Sequence, residues 1–350
     1  MILPWQAPLW QRALEGESRR AHALLLSGPP GQGKRSFAEC YAARVLCTRP
    51  GPDGHACGQC DGCRLRLSGN HPDLLRIVPE AELAEGDAPS GKTKPSTQIL
   101  IEQIRSLREQ LGVTAHQSDT RVILIDPAEA MNLNTANALL KLLEEPPPGS
   151  LFLLVTAAPR RLMPTIRSRC QVWTFPQPDP AQAAAWLDAE VGPGAAALLA
   201  LCGGMPVAAA RLARQGGAAL RERFTRDLGA NGGIDPVMLA GDWDAWLRSR
   251  EATDAGFTLP MLIDWMLRWV WDLSATRLGA GLRYFPDAGP VLARLAAGST
   301  DAAMLDCYNA LVQIHRVANH PLNARLVLED MLLRYARALG RPQVGAAAGR

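Results

Sequence analysis

The sequence predicts an α/β P-loop domain built on a parallel sheet, carrying an inserted cysteine module and followed by two all-helical domains. Three observations carry that expectation. The stretch Ser27-Gly28-Pro29-Pro30-Gly31-Gln32-Gly33-Lys34 follows an apolar run and opens into a helix-compatible segment, the strand–turn–helix context of a phosphate-binding loop. A second apolar run, Arg121 to Ile125, ends in Asp126. Beyond Pro180 the chain shows helical periodicity almost throughout.

Bulk properties set the frame. A chain of 350 residues fits two or three domains. The formal charge of +3 permits contact with nucleic acid without arguing for it. Residues 1–20 hold no apolar core of signal-peptide length and no run approaches a membrane span, so the expectation is a soluble cytoplasmic protein. In a reducing compartment, clustered cysteines read as metal ligands rather than disulfides.

The N-terminal arm, Pro4-Trp5 through Trp10 and Leu14, reads as a short helix ahead of the first strand, Ala23 to Leu26. Gly28, Gly33 and Lys34 then meet the spacing G-x-x-x-x-G-K, with Gly31 between them. Such glycines let backbone N–H groups converge on phosphate oxygens, the helix start adds its positive end, and the lysine reaches the outer phosphates. A bare strand-to-helix turn would need neither the lysine nor this spacing. The next position should supply the hydroxyl that holds Mg²⁺, but it is Arg35. Either its charge opposes the metal or the side chain swings to solvent and the ligand is merely lost. Ser36 points about 100° further round the helix and is a poor substitute.

Cys47-x9-Cys57-x2-Cys60-x2-Cys63 follows, with Gly54, Gly58 and Gly62 expected to supply tight turns between ligands. Four thiolates at this spacing suit structural Zn²⁺, with no open position for catalysis. His55 and His71 are read as bystanders, and Cys40, Cys170, Cys202 and Cys307 as small buried residues. Residues 82–96 read as a mobile loop, and a helical stripe from Ile99 to Leu111 leaves Arg105 and Arg108 as solvated charge.

Asp126 stands where a parallel strand next to the P-loop strand offers a carboxylate to Mg²⁺ through water. The following residue, Pro127, has no oxygen to orient a water, and Glu129 would have to reach back. A helix from Ala136 to Glu145 ends at Pro146-Pro147-Pro148. The strand Leu151 to Thr156 puts Thr156 at its tip, where it either senses a γ-phosphate or caps a turn. Ile166-Arg167-Ser168-Arg169-Cys170 precedes a strand through Val172 to Phe175, and Pro176-Gln177-Pro178-Asp179-Pro180 reads as a linker. Helical stripes beyond it include Leu262, Trp265, Met266, Trp269 and Val270, and Leu326, Leu328, Met331 and Leu332. The tryptophans are assigned to the core and the tail 341–350 to disorder.

These residues together resemble the AAA+ clamp-loader family of bacterial DNA polymerase III. The likeness runs through Arg20-Ala21-His22-Ala23 into the loop, the four cysteines, Ala136-Asn137-Ala138-Leu139-Leu140-Lys141-Leu142-Leu143-Glu144-Glu145-Pro146-Pro147, Arg167-Ser168-Arg169-Cys170 and the helical last third. It implies an AAA+ domain over 1–178, a small helical lid over 179–216 and a helical collar over 217–340 that mediates hetero-oligomerisation. The defects at Arg35 and Pro127 match non-motor rather than motor members. The sensor arginine expected near Gly203-Gly204-Met205-Pro206 is also replaced.

The family role further implies that Arg169 acts in trans, in the ATP site of a neighbouring subunit. Gly28, Gly31, Gly33, Lys34, Asp126 and Thr156 then form a degenerate nucleotide site, where ATP or ADP binding is in doubt. The implied partners are motor and delta-type subunits, the sliding clamp, primed DNA and, through the complex, single-strand-binding factors. Isolated ATPase activity is not expected of such a subunit of the polymerase holoenzyme. The rival is a working motor ATPase in which Arg35 is tolerated and Glu129 serves as base. A zinc-module DNA reader is a third reading, but no basic recognition helix accompanies the cysteines.

Overall fold

The computed structural model of the chain describes residues 1–16, 20–82, 95–112, 119–230, 233–318 and 323–340. Most of the stretch expected to be a mobile loop (83–94) and the tail expected to be disordered (341–350) lie outside them. The chain forms two compact units, Met1–Asp179 and Pro180–Arg350.

The first unit is a five-stranded parallel sheet in the order β2-β3-β4-β1-β5, with β1 Ala23–Ser27, β2 Leu74–Ile77, β3 Arg121–Ile125, β4 Ser150–Thr156 and β5 Gln171–Thr174. Strands β1 and β3 are buried at every position, as parallel strands covered on both faces must be. Alternation sorts their side chains into two layers. Leu25, Ile123, Ile125, Phe152 and Leu154 face helices α4 (Ile101–Leu111) and α5 (Leu133–Glu144). Leu24, Leu26, Leu124, Leu153 and Val155 pack with Trp10 of α1 (Ala7–Glu15) and with Phe37 and Tyr41 of α2 (Lys34–Val45). Helix α3 is Asp61–Leu67 and α6 is Pro164–Ser168.

The sheet order decides where chemistry can occur. The chain leaves β1 for the far edge, returns through β3 and β4, then crosses to β5 on the other side of β1. A crevice outside the carboxyl ends is where such sheets bind ligands. The ends of β1, β3 and β4 lead directly into the P-loop, Asp126 and Ala157.

Several expectations shift. Strand β2 was not anticipated: Leu74-Leu75-Arg76-Ile77 is short and carries a charge, which Glu39 pairs bidentately at 2.9 Å. Ile99 precedes α4 and bridges Met131 instead of starting the helix. Cys40 and Cys202 are only partly buried, whereas Cys170 and Cys307 are buried.

The second unit holds ten α-helices among the described residues, from Pro180–Val191 to Ala324–Ala338. One apolar cluster runs from Leu187 to Leu339 around the helix Leu259–Arg277. Trp243, Trp246, Trp265 and Trp269 are buried in it, as the helical spacing implied, and the Trp269 indole donates to the Tyr335 hydroxyl at 2.9 Å. Leu326, assigned to a stripe, is exposed; the buried face of its helix begins at Leu328. Among the described residues no helix is long and apolar enough to cross a membrane.

Candidate functional site

Gly31 and Gly33 adopt φ of +84° and +83°, conformations that a β-carbon disfavours, and they let the loop curl over the start of α2. A β-carbon at Gly28 would displace Gln32 Oε1, a buried oxygen without a hydrogen-bond partner. Gln32 Nε2 donates to the Pro176 carbonyl at 3.1 Å, which ties the loop to the segment after β5.

The N-terminal arm secures the loop from the other side. Trp5 Nε1 donates to the Gln32 carbonyl at 3.0 Å, and Gln6 Nε2 donates to the carbonyls of Gln32 and Gly33 at 3.0 and 2.9 Å. Both side chains are buried. Sequence reasoning gave the arm no such role; an indole and an amide 26 or 27 residues upstream of the carbonyls they hold leave no local periodic signal.

Lys34 turns inward, its ammonium donating to the carbonyls of Gly28 at 2.6 Å and Pro29 at 2.7 Å. Burial lowers its pKa to about 8, against the opposing pull of Glu129 and Asp126. Arg35, at the position of the expected metal ligand, does not swing free. Its Nε donates to Asp126 Oδ2 and its terminal nitrogen to Glu82 Oε2. Those bonds push the guanidinium pKa up despite partial burial. Burial raises the Asp126 carboxyl pKa, and Arg35 works in the opposite direction. The cation that Asp126 faces is therefore supplied by the chain itself. Ser36 donates to the Met1 carbonyl at 3.2 Å, away from the loop's mouth.

Two further polar groups stand at the same sheet edge. Glu129 Oε1 accepts from the Ala157 N–H at 2.9 Å, and Thr156 Oγ1 accepts from the Ala158 N–H at 3.1 Å. Both bonds brace the turn after β4. Arg169 ends α6, elsewhere in the unit: it donates to the Thr165 carbonyl at 3.0 Å and pairs with Glu144 at 2.6 Å. About a third of its side chain remains exposed (34%).

The four cysteines converge. Cys47 follows α2, Cys60 caps α3 and Cys63 lies within it, and the four sulfurs stand within 4.8 Å of one another. Cys47 and Cys60 are 3.8 Å apart and Cys57 and Cys63 are 4.0 Å apart. A tetrahedron with metal–sulfur bonds of about 2.3 Å has edges of about 3.8 Å, so the set fits a four-thiolate metal site. The N–H groups of Cys57 and Cys60 each donate to a cluster sulfur at 3.3 Å.

Burial resists ionisation of Cys60 and Cys63, yet bonds from Cys63 and Thr48 pull Cys60 down, while burial and Cys60 push Cys63 up. Gly54 and Gly58 turn with positive φ as expected. Gly62 does not: it lies in α3, where a β-carbon would come within 2.6 Å of the Leu46 carbonyl. His55 stacks on Trp10 at 5.0 Å and His71 accepts from the Asp73 N–H, so neither belongs to the sulfur set.

Comparison with known proteins gives consistent matches. A family described as DNA polymerase III, delta subunit, matches residues 6–179. Over 352 residues the chain is 37% identical to DNA polymerase III subunit delta′ of Pseudomonas aeruginosa, covering 97% of this chain and 98% of that one. The Escherichia coli subunit delta′ is 29% identical over 341 residues, covering 95% and 94%. DNA polymerase III subunit gamma/tau of Mycobacterium bovis is 34% identical over 154 residues, 44% of this chain and 24% of that one.

Proposed function

The chain belongs to the family of DNA polymerase III delta-prime subunits, and on that premise we propose that it is a non-motor subunit of the clamp loader. It helps to load the sliding clamp onto primed DNA and completes the ATPase site of a neighbouring subunit. The observation that carries this reading is the pairing of Arg35 with Asp126. A motor needs that carboxylate for Mg²⁺ and a second acid to orient water. Here the first is neutralised internally, and Pro127 follows it in place of the second. Gly28, Gly31, Gly33, Lys34, Asp126 and Thr156 are the remnant of a nucleotide site. Glu129, the base that a motor reading requires, already accepts from Ala157.

Arg169 is the catalytic contribution in this reading. Its partner Glu144 is itself 46% exposed, so the guanidinium can exchange that ion pair for the γ-phosphate held by an adjacent subunit without uncovering a buried charge. There it would neutralise charge that develops as the phosphoanhydride bond breaks. The Cys47, Cys57, Cys60 and Cys63 set would hold a structural Zn²⁺, which closes the coordination shell and ties α2 to α3. Residues 179–216 would form the lid and 217–340 the collar that joins motor and delta-type subunits. Primed DNA and, through the complex, single-strand-binding factors complete the partners of a cytoplasmic assembly.

The test is ATP turnover by the isolated chain and by its mixture with motor subunits, delta-type subunit, sliding clamp and primed DNA. Wild type and Arg169→Ala are compared side by side. The chain alone should be silent and the mixture should slow with the mutant. Robust turnover by the chain alone, abolished in Lys34→Ala, would make it a motor and overturn the reading.

A further inference from the structure

We infer that Arg35 is a built-in replacement for the divalent cation of the P-loop, and that this one side chain keeps the loop from binding Mg²⁺–nucleotide. The inference concerns the chain's own nucleotide site and stands whatever Arg169 does in an assembly.

In a working P-loop the residue after the lysine offers a hydroxyl to Mg²⁺, and an acid at the end of a neighbouring strand holds the same ion through water. In this chain the two positions are Arg35 and Asp126, and they bond each other directly. The guanidinium therefore occupies the line between helix and carboxylate that the metal would bridge. Its fork also reaches Glu82, at the end of the turn Glu80–Glu82, so both nearby acids are matched by one cation.

A metal entering here would lose its hydroxyl ligand, compete with Arg35 for Asp126 and face a fixed positive charge within a few ångströms. Mg²⁺ is held mainly by one or two carboxylates plus substrate phosphates and gives up its waters reluctantly, so it competes poorly for a carboxylate already paired. The loop itself is retained. Gly31 and Gly33 keep their left-handed turns, α2 still begins at Lys34, and that lysine stands at the loop, donating to the Gly28 and Pro29 carbonyls, bonds that an incoming phosphate would replace. The loss of the metal position is thus concentrated at one residue, and a hydroxyl residue there should restore metal-dependent binding. Hydrolysis should not return, because Pro127 is untouched.

The experiment measures equilibrium binding of N-methylanthraniloyl-ATP to the full chain, in excess Mg²⁺ and in EDTA. Wild type should show the same weak or absent binding in both. Arg35→Thr, with Arg35→Ser as a second carrier of the hydroxyl, should bind about tenfold tighter with Mg²⁺ than without, an ordinary coupling between two ligands of one site. Adding Asp126→Asn to either variant should abolish that metal dependence. If Mg²⁺ tightens wild-type binding as much as it does in the variants, Arg35 does not exclude the metal. If the hydroxyl variants stay indifferent to Mg²⁺, Arg35 is not what keeps it out. Either result overturns the inference.

Discussion

The P-loop and the cysteine cluster meet the same electrostatic demand in opposite ways. Each gathers negative or electron-rich groups that need a cation. At the loop the chain supplies it: Arg35 pairs Asp126 and Glu82, and Lys34 is spent on the carbonyls of Gly28 and Pro29. At the cluster the four sulfurs converge within 4.8 Å of one another, with backbone N–H groups of Cys57 and Cys60 among their donors and no basic side chain in the set. The lesson is that motif residues alone do not announce a bound ion. What matters is whether the protein's own charges already balance the site. The loop has the lineage of an ion site but its charge is met from within, whereas the cluster is a set of four sulfurs that fits an ion from outside.

The comparison can be broken most forcefully at the cysteines. Structural zinc binds small domains with about 10–16 kcal/mol, so removing it should unfold the module outright. Cys60→Ser, or strong chelation, should expose residues 47–67 to limited proteolysis while the second unit melts unchanged. Metal-free protein that resists the protease equally well would contradict an external cation.

The next effect is kinetic. If Arg169 is the finger proposed above, Arg169→Ala should slow the neighbouring subunit's turnover by about 10³-fold, the lower end for arginine fingers. Thermal melting should stay put, because an exposed pair such as Arg169–Glu144 contributes little to stability. A parallel loss of stability would mean the side chain is structural.

Lys34 sharpens the loop side of the comparison. Its pKa lies near 8 in the folded chain against 10.5 for a free lysine, because burial opposes its charge. Between those values the unfolded chain binds more protons, so stability should rise with pH across that window. Relative to Lys34→Met, wild type should gain roughly 2–3 kcal/mol from pH 8 to 10.5 in urea unfolding, each pH unit of separation being worth about 1.4 kcal/mol. A flat difference would show that the ammonium is not buried in the loop. The smallest change is expected from Gln6→Ala. It removes two donors from the loop carbonyls and should cost about 1–2 kcal/mol, since Trp5 still holds Gln32.

How much of this was legible in sequence follows from where each interaction originates. The loop, β1, β3 and the cysteine set were readable because their signals are local: a fixed spacing, an unbroken apolar run, two-residue gaps between ligands. The direction of Arg35 was not. Its two partners lie 47 and 91 residues away and are brought to it by β2, which was missed, and by β3. Likewise Gly62 looked like a turn glycine among others, yet its constraint is the approach of the Leu46 carbonyl in space. Arg169 stands out in the sequence through its neighbours Ser168 and Cys170, but the Glu144 that pairs with it comes from α5 and is set by packing alone.

The most direct measurement is native mass spectrometry of the full chain after incubation with Zn²⁺, Mg²⁺ and ATP. The account expects one zinc and no magnesium–nucleotide adduct. A chain that carries magnesium and nucleotide, or no zinc, would contradict it.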